Sequence, residues 1–465
     1  MIIKEINGEF LSSALDLGGY VNSSKIIDWI NKRRSNIEVV INLIPFNKLN
    51  KWKFNEETGN LYHESGRFFS IEGLEVKTNW RRNENWTQPI INQPEIGILG
   101  IITKKLNGVL HFLMQAKIEP GNINYVQISP TLQATKSNYF KIHQGKTPLY
   151  LEYFNGDKKV HILLDQLQSE QGARFLRKRN RNMIVEVEDD IPVYDDFCWL
   201  TLGQIKDLMR YDNLVNMDTR SVISGISFEE TDDRNIMQSK QKIEIYRSFF
   251  SKNSKKPIEH IISWLTALKT KYEFEAKLIP LKIVKGWIKT DNEIYHEQKK
   301  YFSVIAADIH ISNREVINWS QPLIKSAQEG LIAFIIKKIN GVYHFLVQGK
   351  VEAGNFDILE FAPTVQCQTE NYRVGHNEYE VPFVNEVLNA PKENILYKAY
   401  QSEEGGRFYK EQNLYLIIEV NDNYISDGEI PENYCWMTLN QLVTFIKFNN
   451  YINIQARSLI SAIMF

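Results

Sequence analysis

QSEQGARF at residues 168–175 returns as QSEEGGRF at residues 401–408. Six of these eight positions agree, and they include a glutamate, a glycine and an arginine, residue types that a core does not need merely to fill space. The repetition extends outward at nearly constant spacing. WTQP at Trp86 recurs as WSQP at Trp319, QAKIEPGN at 115 as QGKVEAGN at 348, and SPTLQATKSNY at 129 as APTVQCQTENY at 362, each offset by 233. Towards the front the offset is 235, matching IIDWI at 26 to IISWL at 261 and Trp52 to Trp287. Towards the end it is 237, matching CWLTL at 198 to CWMTL at 435 and Arg220 to Arg457. Stepwise offsets of this kind mean short loop insertions within one fold written twice, a duplicated domain rather than a solenoid.

The chain of 465 residues exceeds what one hydrophobic core usually supports, which agrees with two units. The polar, charged stretch SFEETDDRNIMQSKQK reads as a linker, giving an N-terminal repeat at 1–226, a linker at 227–242 and a C-terminal repeat at 243–465. Hydrophobic residues make up 43% and charged residues 24%, the balance of a soluble globular protein, and the formal net charge of -1 carries no global field towards nucleic acid or membrane. Cys198, Cys367 and Cys435 are far apart and make no metal-ligand spacing or disulfide frame. No signal peptide opens the chain and no apolar run is long enough for a transmembrane helix, so a cytoplasmic setting is expected.

Each copy reads as an α+β unit. An amphipathic helix opens it, with Ser23 or Ser24 as cap and Ile26, Ile27, Trp29 and Ile30 on one face. Strands follow in VVINLIPF, FFSIEGLEV, IGILGIITKK, GVLHFLMQAKIE, YVQISPTLQAT and NMIVEVE, and a helix capped by Thr201 closes the copy. In GVLHFLMQAKIE alternation puts Leu110, Phe112, Met114, Ala116 and Ile118 on a core face, and His111, Gln115, Lys117 and Glu119 on the other. The segment from Gln127 alternates likewise through Ser129, Thr131, Gln133 and Thr135. A hairpin closed by PGNINY would bring both polar rows to one side. Such a side is either a plain solvent face or the floor of a cleft. Gln, Thr, His and Glu at matching positions of both copies favour the cleft, since plain faces are filled with interchangeable Lys and Glu.

Beyond the eight-letter phrase the copies part. Copy one continues RFLRKRNRN, carrying Arg174, Arg177, Lys178, Arg179 and Arg181, whereas copy two reads RFYKEQNLY. Guanidinium forks suit phosphate oxygens, so the cluster is a candidate diphosphate clamp, while Glu170 and Arg174 equally suit a structural ion pair. His63 is followed by Ser65, Gly66 and Arg67, which its counterpart His296 lacks. The chain has no GxGxxG, GxxxxGK[ST], HExxH or GxSxG motif, and the Nudix box is also missing, so no cofactor or metal is expected.

Together the phrases SGRFF, WTQPIINQPEIGILG, QAKIEPGN, SPTLQATKSNY, QSEQGARFLRKRNRN and VNMDTRS resemble the NDP-hexose 2,3-dehydratase family of deoxysugar biosynthesis, across nearly the whole chain and including the duplication. The resemblance implies two tandem Nudix-like domains without the Nudix box, a homodimer, and a dTDP-4-keto-6-deoxyhexose substrate. It also implies loss of the carbon-2 hydroxyl to give a 3,4-diketo-2,6-dideoxy sugar that passes to a partner 3-ketoreductase.

On the residue reading, Glu119 or Glu170 is the candidate base and His63 the candidate acid. Gln115, Lys117, Gln133 and Thr135 would hold the sugar or its enolate, with Ser65 and Arg67 beside His63. Arg174, Arg177, Arg181 and Arg220 would grip the diphosphate, and Trp52 or Trp86 would stack on thymine or fill core. Copy one is preferred as the working site. His296, Lys350, Glu352, Glu403, Arg407 and Arg457 mark a second site in copy two. The rival activities are a Nudix-type pyrophosphohydrolase dependent on magnesium and a sugar-nucleotide-binding protein without catalysis.

Overall fold

A computed structural model describes residues 2–3, 8–80, 85–136, 147–228, 240–312, 316–369, 381–425 and 427–464. Each repeat builds a large mixed sheet. In repeat one the strands run in the order Ile2–Ile3, His161–Ser169, Arg179–Glu186, Gly97–Leu106, Val109–Ile118, Phe197–Thr201, with Leu132–Ala134 and Val126–Ser129 attached. Repeat two repeats the pattern with Ile395–Ser402, Gln412–Glu419, Gly330–Ile339 and Val342–Lys350. In both, one central pair is parallel: Arg179–Glu186 on Gly97–Leu106, and Gln412–Glu419 on Gly330–Ile339. The expected hairpin forms, with Gln115 opposite Ser129 and Lys117 opposite Gln127. Its apolar row lies in the main core, and Leu113, from the polar row, packs into a second cluster on the far side.

Thr201 caps the closing helix Leu202–Leu208 in a reciprocal box with Gln204, and Thr438 does the same with Gln441. The opening helix Ser23–Ser35 is capped one residue earlier than expected. The Asn22 side chain accepts from the Ser24 amide, so Ser23 and Ser24 already lie in the first turn.

The two repeats are not independent. Each has a second, smaller sheet, and each small sheet borrows a strand from the other repeat. Phe274–Ile279 pairs antiparallel with Ser70–Thr78, and Val39–Ile44 pairs antiparallel with Phe302–Ile311. The main hydrophobic core likewise runs from Phe10 to Ile463 and draws on both halves. Between the repeats the helices Met217–Ser224 and Ile454–Ser461 pack on each other.

This exchange explains the repeated phrases. The turn at 119–122, EPGN, docks on the 401–408 loop of the other repeat: the Gly121 amide donates to the Gly405 carbonyl at 2.7 Å, and the Lys410 amide donates to the Gly121 carbonyl at 2.6 Å. The 352–355 turn, EAGN, meets the 168–175 loop in the same way, with the Gly354 amide on the Gly172 carbonyl and the Arg177 amide on the Gly354 carbonyl. The backbones approach so closely that a Cβ at Gly121 would lie 1.5 Å from the Phe408 carbonyl oxygen, and one at Gly354 1.8 Å from that of Phe175. Only glycine fits there.

Gly121→Ala must therefore push the loop away. Urea unfolding should show a loss of more than about 3 kcal/mol. Gly108→Ala, in open space at φ +83°, should lose only about 1–2 kcal/mol from left-handed strain. Equal losses would contradict the docking.

Candidate functional site

Because the loops cross over, each pocket is built from both repeats. The repeat-two cavity, about 1260 Å³, has a floor of Gln348, Lys350, Glu352, Gln366 and Gln368 from the repeat-two sheet, while Trp86, Gln171 and Arg174 enter from repeat one. Its floor is hydrogen-bonded. Gln366 Nε2 donates to Glu352 Oε1 at 2.8 Å, Asn453 Nδ2 donates to Gln366 Oε1 at 2.8 Å, and Lys350 Nζ donates to the Gln366 carbonyl at 2.8 Å. Gln348 Nε2 donates to the Pro363 carbonyl at 2.7 Å. The Arg174 guanidinium lies over the Phe302 ring, 4.2 Å from its centroid.

The equivalent place in repeat one gathers different chemistry. Gln133 Nε2 donates to Glu119 Oε1 at 3.4 Å and to the Asp218 carboxylate. Arg407 comes from the repeat-two loop, lies over the Phe69 ring at 4.2 Å, and donates to Gln93 Oε1 at 3.2 Å. Three positions change character between the pockets: Asp218 stands where repeat two has Gln455, Glu404 where repeat one's loop has Gln171, and Lys178 where repeat two has Glu411.

Electrostatics follow from that gathering. Burial pushes Asp218 well above the usual carboxylate range, reinforced by Glu119, Glu404 and Glu170 and opposed by Lys117. Glu404 rises to about 7, chiefly through burial; Arg407 pulls it down, and Glu170 and Glu119 push it up. Burial also raises Glu170, against Arg457 and Lys178, and lowers Lys178. Like charges this close cannot all ionise, so the pocket holds carboxylic acid and carboxylate together near neutral pH.

The other expected residues scatter. Arg181 forms a two-pronged pair with Asp165, Nε to Oδ1 at 2.7 Å and Nη2 to Oδ2 at 2.6 Å. Arg177 is exposed at the loop end, and Arg174 faces the repeat-two cavity rather than the repeat-one sheet. The arginine run is thus not gathered into one clamp, because alternating strand positions and the turn at 171–178 aim its members in different directions. His63 sits half-buried with its ring edge-on to Trp52 at 5.4 Å and Phe68 at 4.5 Å, and Nδ1 2.8 Å from Ser65 Oγ. His296 occupies the same place in the wall of the repeat-two cavity. Ser65 and Arg67 are exposed, and Thr135 is half-buried beyond Gln133.

Trp52 is buried, its indole N–H donating to the Ser320 carbonyl at 3.0 Å, whereas Trp86 lines the repeat-two cavity. Glu170 accepts from Asn180 Nδ2 at 2.7 Å, and Glu403 accepts from Gln171 and Asn413. Arg220 and Arg457 are fully buried between the repeats. The sequence reading missed Asp218, Glu404 and Gln171. The signal was present in the offset comparison, where NMDTRS becomes NIQARS and an acid becomes an amide.

A sequence profile of the NDP-hexose 2,3-dehydratase family matches residues 23–226 and again residues 258–463. Three proteins named dTDP-4-dehydro-6-deoxy-alpha-D-glucopyranose 2,3-dehydratase are similar over nearly their whole lengths. That of Saccharopolyspora spinosa is 45% identical, covering 98% of this chain and 94% of the relative. That of Amycolatopsis orientalis is 43% identical, covering 97% and 92%. That of Streptomyces violaceoruber is 40% identical, covering 94% and 95%.

One further buried acid lies beside the repeat-two floor, paired across the strands with Lys350. Glu360 Oε2 accepts from Ser169 Oγ at 2.9 Å, and burial raises its carboxyl to about 7 against the pull of Arg457. Its counterpart in repeat one is the neutral Gln127. Between about pH 4.5 and 7 the folded chain keeps a proton here that the unfolded chain has released, so this residue's stabilising contribution is lost as pH rises through that window. In Glu360→Gln the loss disappears. The variant's stability relative to the parent should grow by roughly 3 kcal/mol between pH 4.5 and 7.5 in urea unfolding; a pH-independent difference would contradict the assignment.

Proposed function

The chain belongs to the NDP-hexose 2,3-dehydratase family, and from that premise we propose that it is a hydro-lyase removing the carbon-2 hydroxyl of dTDP-4-keto-6-deoxy-D-glucose in the repeat-one pocket. The observation that carries the choice of pocket is the pairing of Asp218 with Glu119 through Gln133, beside Glu404, Lys117 and Arg407. Elimination next to a ketone needs a base, an acid and a donor for the enolate oxygen. The repeat-two cavity has neutral Gln455 and, from the repeat-one loop, neutral Gln171 at two of these places.

In the proposed reaction Glu119 takes the proton from carbon 3, which the 4-keto group acidifies. The electron pair moves onto oxygen 4, where the Lys117 ammonium stabilises it. As the pair returns, the carbon-2–oxygen bond breaks, and Asp218, held neutral by burial and its acidic neighbours, protonates the departing hydroxyl to water. The resulting enol becomes the 3-ketone, giving a 3,4-diketo-2,6-dideoxyhexose nucleotide. Asp218 thereby takes the acid's role expected of His63, whose ring is packed edge-on against Trp52 and Phe68. Arg407 grips the diphosphate from the opposite repeat. Family likeness supports the finer points of the reading: Nudix-like ancestry for each repeat, a homodimer, a cytoplasmic setting and a 3-ketoreductase that takes the product.

Asp218→Asn should lower kcat by about 10²–10⁴-fold. Gln455→Ala, at the matching position of repeat two, should change it by less than about threefold, on the scale where 1.4 kcal/mol is tenfold. The assay follows loss of water from the 4-keto sugar by mass spectrometry with a ketoreductase present. Full turnover in Asp218→Asn would contradict the assignment.

A further inference from the structure

We propose that Arg220 is a positioning residue for this reaction: from the helix that carries Asp218, it holds the root of the loop that carries Glu404 and Arg407. The inference rests on the repeat-one pocket being the working one. Asp218 and Arg220 lie two residues apart on Met217–Ser224, a helix whose N-cap Asn216 accepts from the Thr219 amide. One side chain enters the pocket. The other crosses the repeat boundary, where its Nη2 donates to the Ser402 carbonyl and its Nη1 to Ser458 Oγ.

Ser402 is the last residue of the strand Ile395–Ser402, immediately before Glu403 and Glu404. Its hydroxyl is fixed as well, accepting from Gln127 Nε2 at 2.7 Å and donating to Asn213 Oδ1 at 2.8 Å. The separation of Asp218 from Glu404 is therefore set through one short helix and one guanidinium fork.

Burying a guanidinium is costly unless its donors are satisfied, and an apolar residue would pack the same space. Arg220 is nevertheless 0% exposed; its hydrogen bonds go to the neutral oxygens of Asn216, Ser402 and Ser458, and its charge also acts on Glu403. A lysine, with one point of attachment, cannot reach both Ser402 and Ser458 in that geometry. The molecule also supplies its own control. Arg457, equally buried on Ile454–Ser461, donates to the Ser169 carbonyl at 2.5 Å and the Ile452 carbonyl at 2.6 Å, so it tethers the 168–175 loop of the repeat-two cavity.

The test compares Arg220→Lys with Arg457→Lys in the full-length protein, measuring thermal midpoint, kcat, KM and the pH profile of kcat/KM. Both substitutions keep the positive charge that acts on Glu403 and Glu170 respectively. The expected result is a similar drop in thermal midpoint for both, with kcat falling about 10- to 100-fold in Arg220→Lys and much less in Arg457→Lys. Asp218 faces Glu119, Glu404, Glu170 and Lys117. Release of Glu404 should relax its repulsion and move the alkaline limb of the Arg220→Lys profile to lower pH. Equal kcat losses with an unmoved limb would reduce Arg220 to a packing role and overturn the proposal. A kcat loss confined to Arg457→Lys would overturn it by a different route, placing the chemistry in the repeat-two cavity while leaving the tethering principle with Arg457 and Ser169.

Discussion

The structure depends on a reciprocal backbone contact. A glycine turn of each repeat is hydrogen-bonded to the Q-S-E-x-G-x-R-F loop of the other, at a separation that excludes any side chain. Two such contacts, together with two exchanged strands, join the halves through main-chain bonds, in addition to the side-chain core that both repeats share. Main-chain bonds are directional and short, so they carry position as well as stability. The loops consequently deliver Arg174, Gln171, Glu404 and Arg407 to the opposite repeat's sheet with little freedom.

That arrangement lets a duplicated scaffold diverge without refolding. The glycines, the asparagines at 122 and 355, and the buried arginines at 220 and 457 match in both halves because the docking needs them twice. The pocket side chains are free of that demand. Changing Gln455 to its counterpart Asp218, or Gln171 to its counterpart Glu404, alters charge without touching the backbone contact. Two related sites thus differ in proton chemistry: one adds Asp218 and Glu404 to its carboxyl groups, the other has Gln455 and Gln171 at those places and keeps Glu352 and Glu411 beside Arg174.

Much of this was legible before any coordinates. The repeat, the strand segments, the hairpin from Val109 and the Thr201 cap all follow from local alternation and capping chemistry, which a single sequence displays. The family likeness was legible in whole phrases. The strand exchange was not, because Val39–Ile44 has the same alternation whichever repeat it pairs with. For the same reason Arg174 was read with its own repeat's sheet, although the loop carries it across. The arginine run was contiguous in sequence, but a turn and a strand separate its side chains, and Arg181 is already paired with Asp165. Asp218 was hidden by lying in a helix that reads as core; only the amide at its repeat partner marks it.

The most direct measurement is a crystal structure of the protein with a dTDP-4-keto-6-deoxyhexose or an unreactive analogue bound. The account predicts the hexose over the repeat-one sheet, with its second carbon's oxygen within about 3 Å of the Asp218 carboxyl and its diphosphate against Arg407. A hexose seated over Lys350 and Glu352, with Arg174 on the diphosphate and the repeat-one pocket lacking sugar, would contradict it.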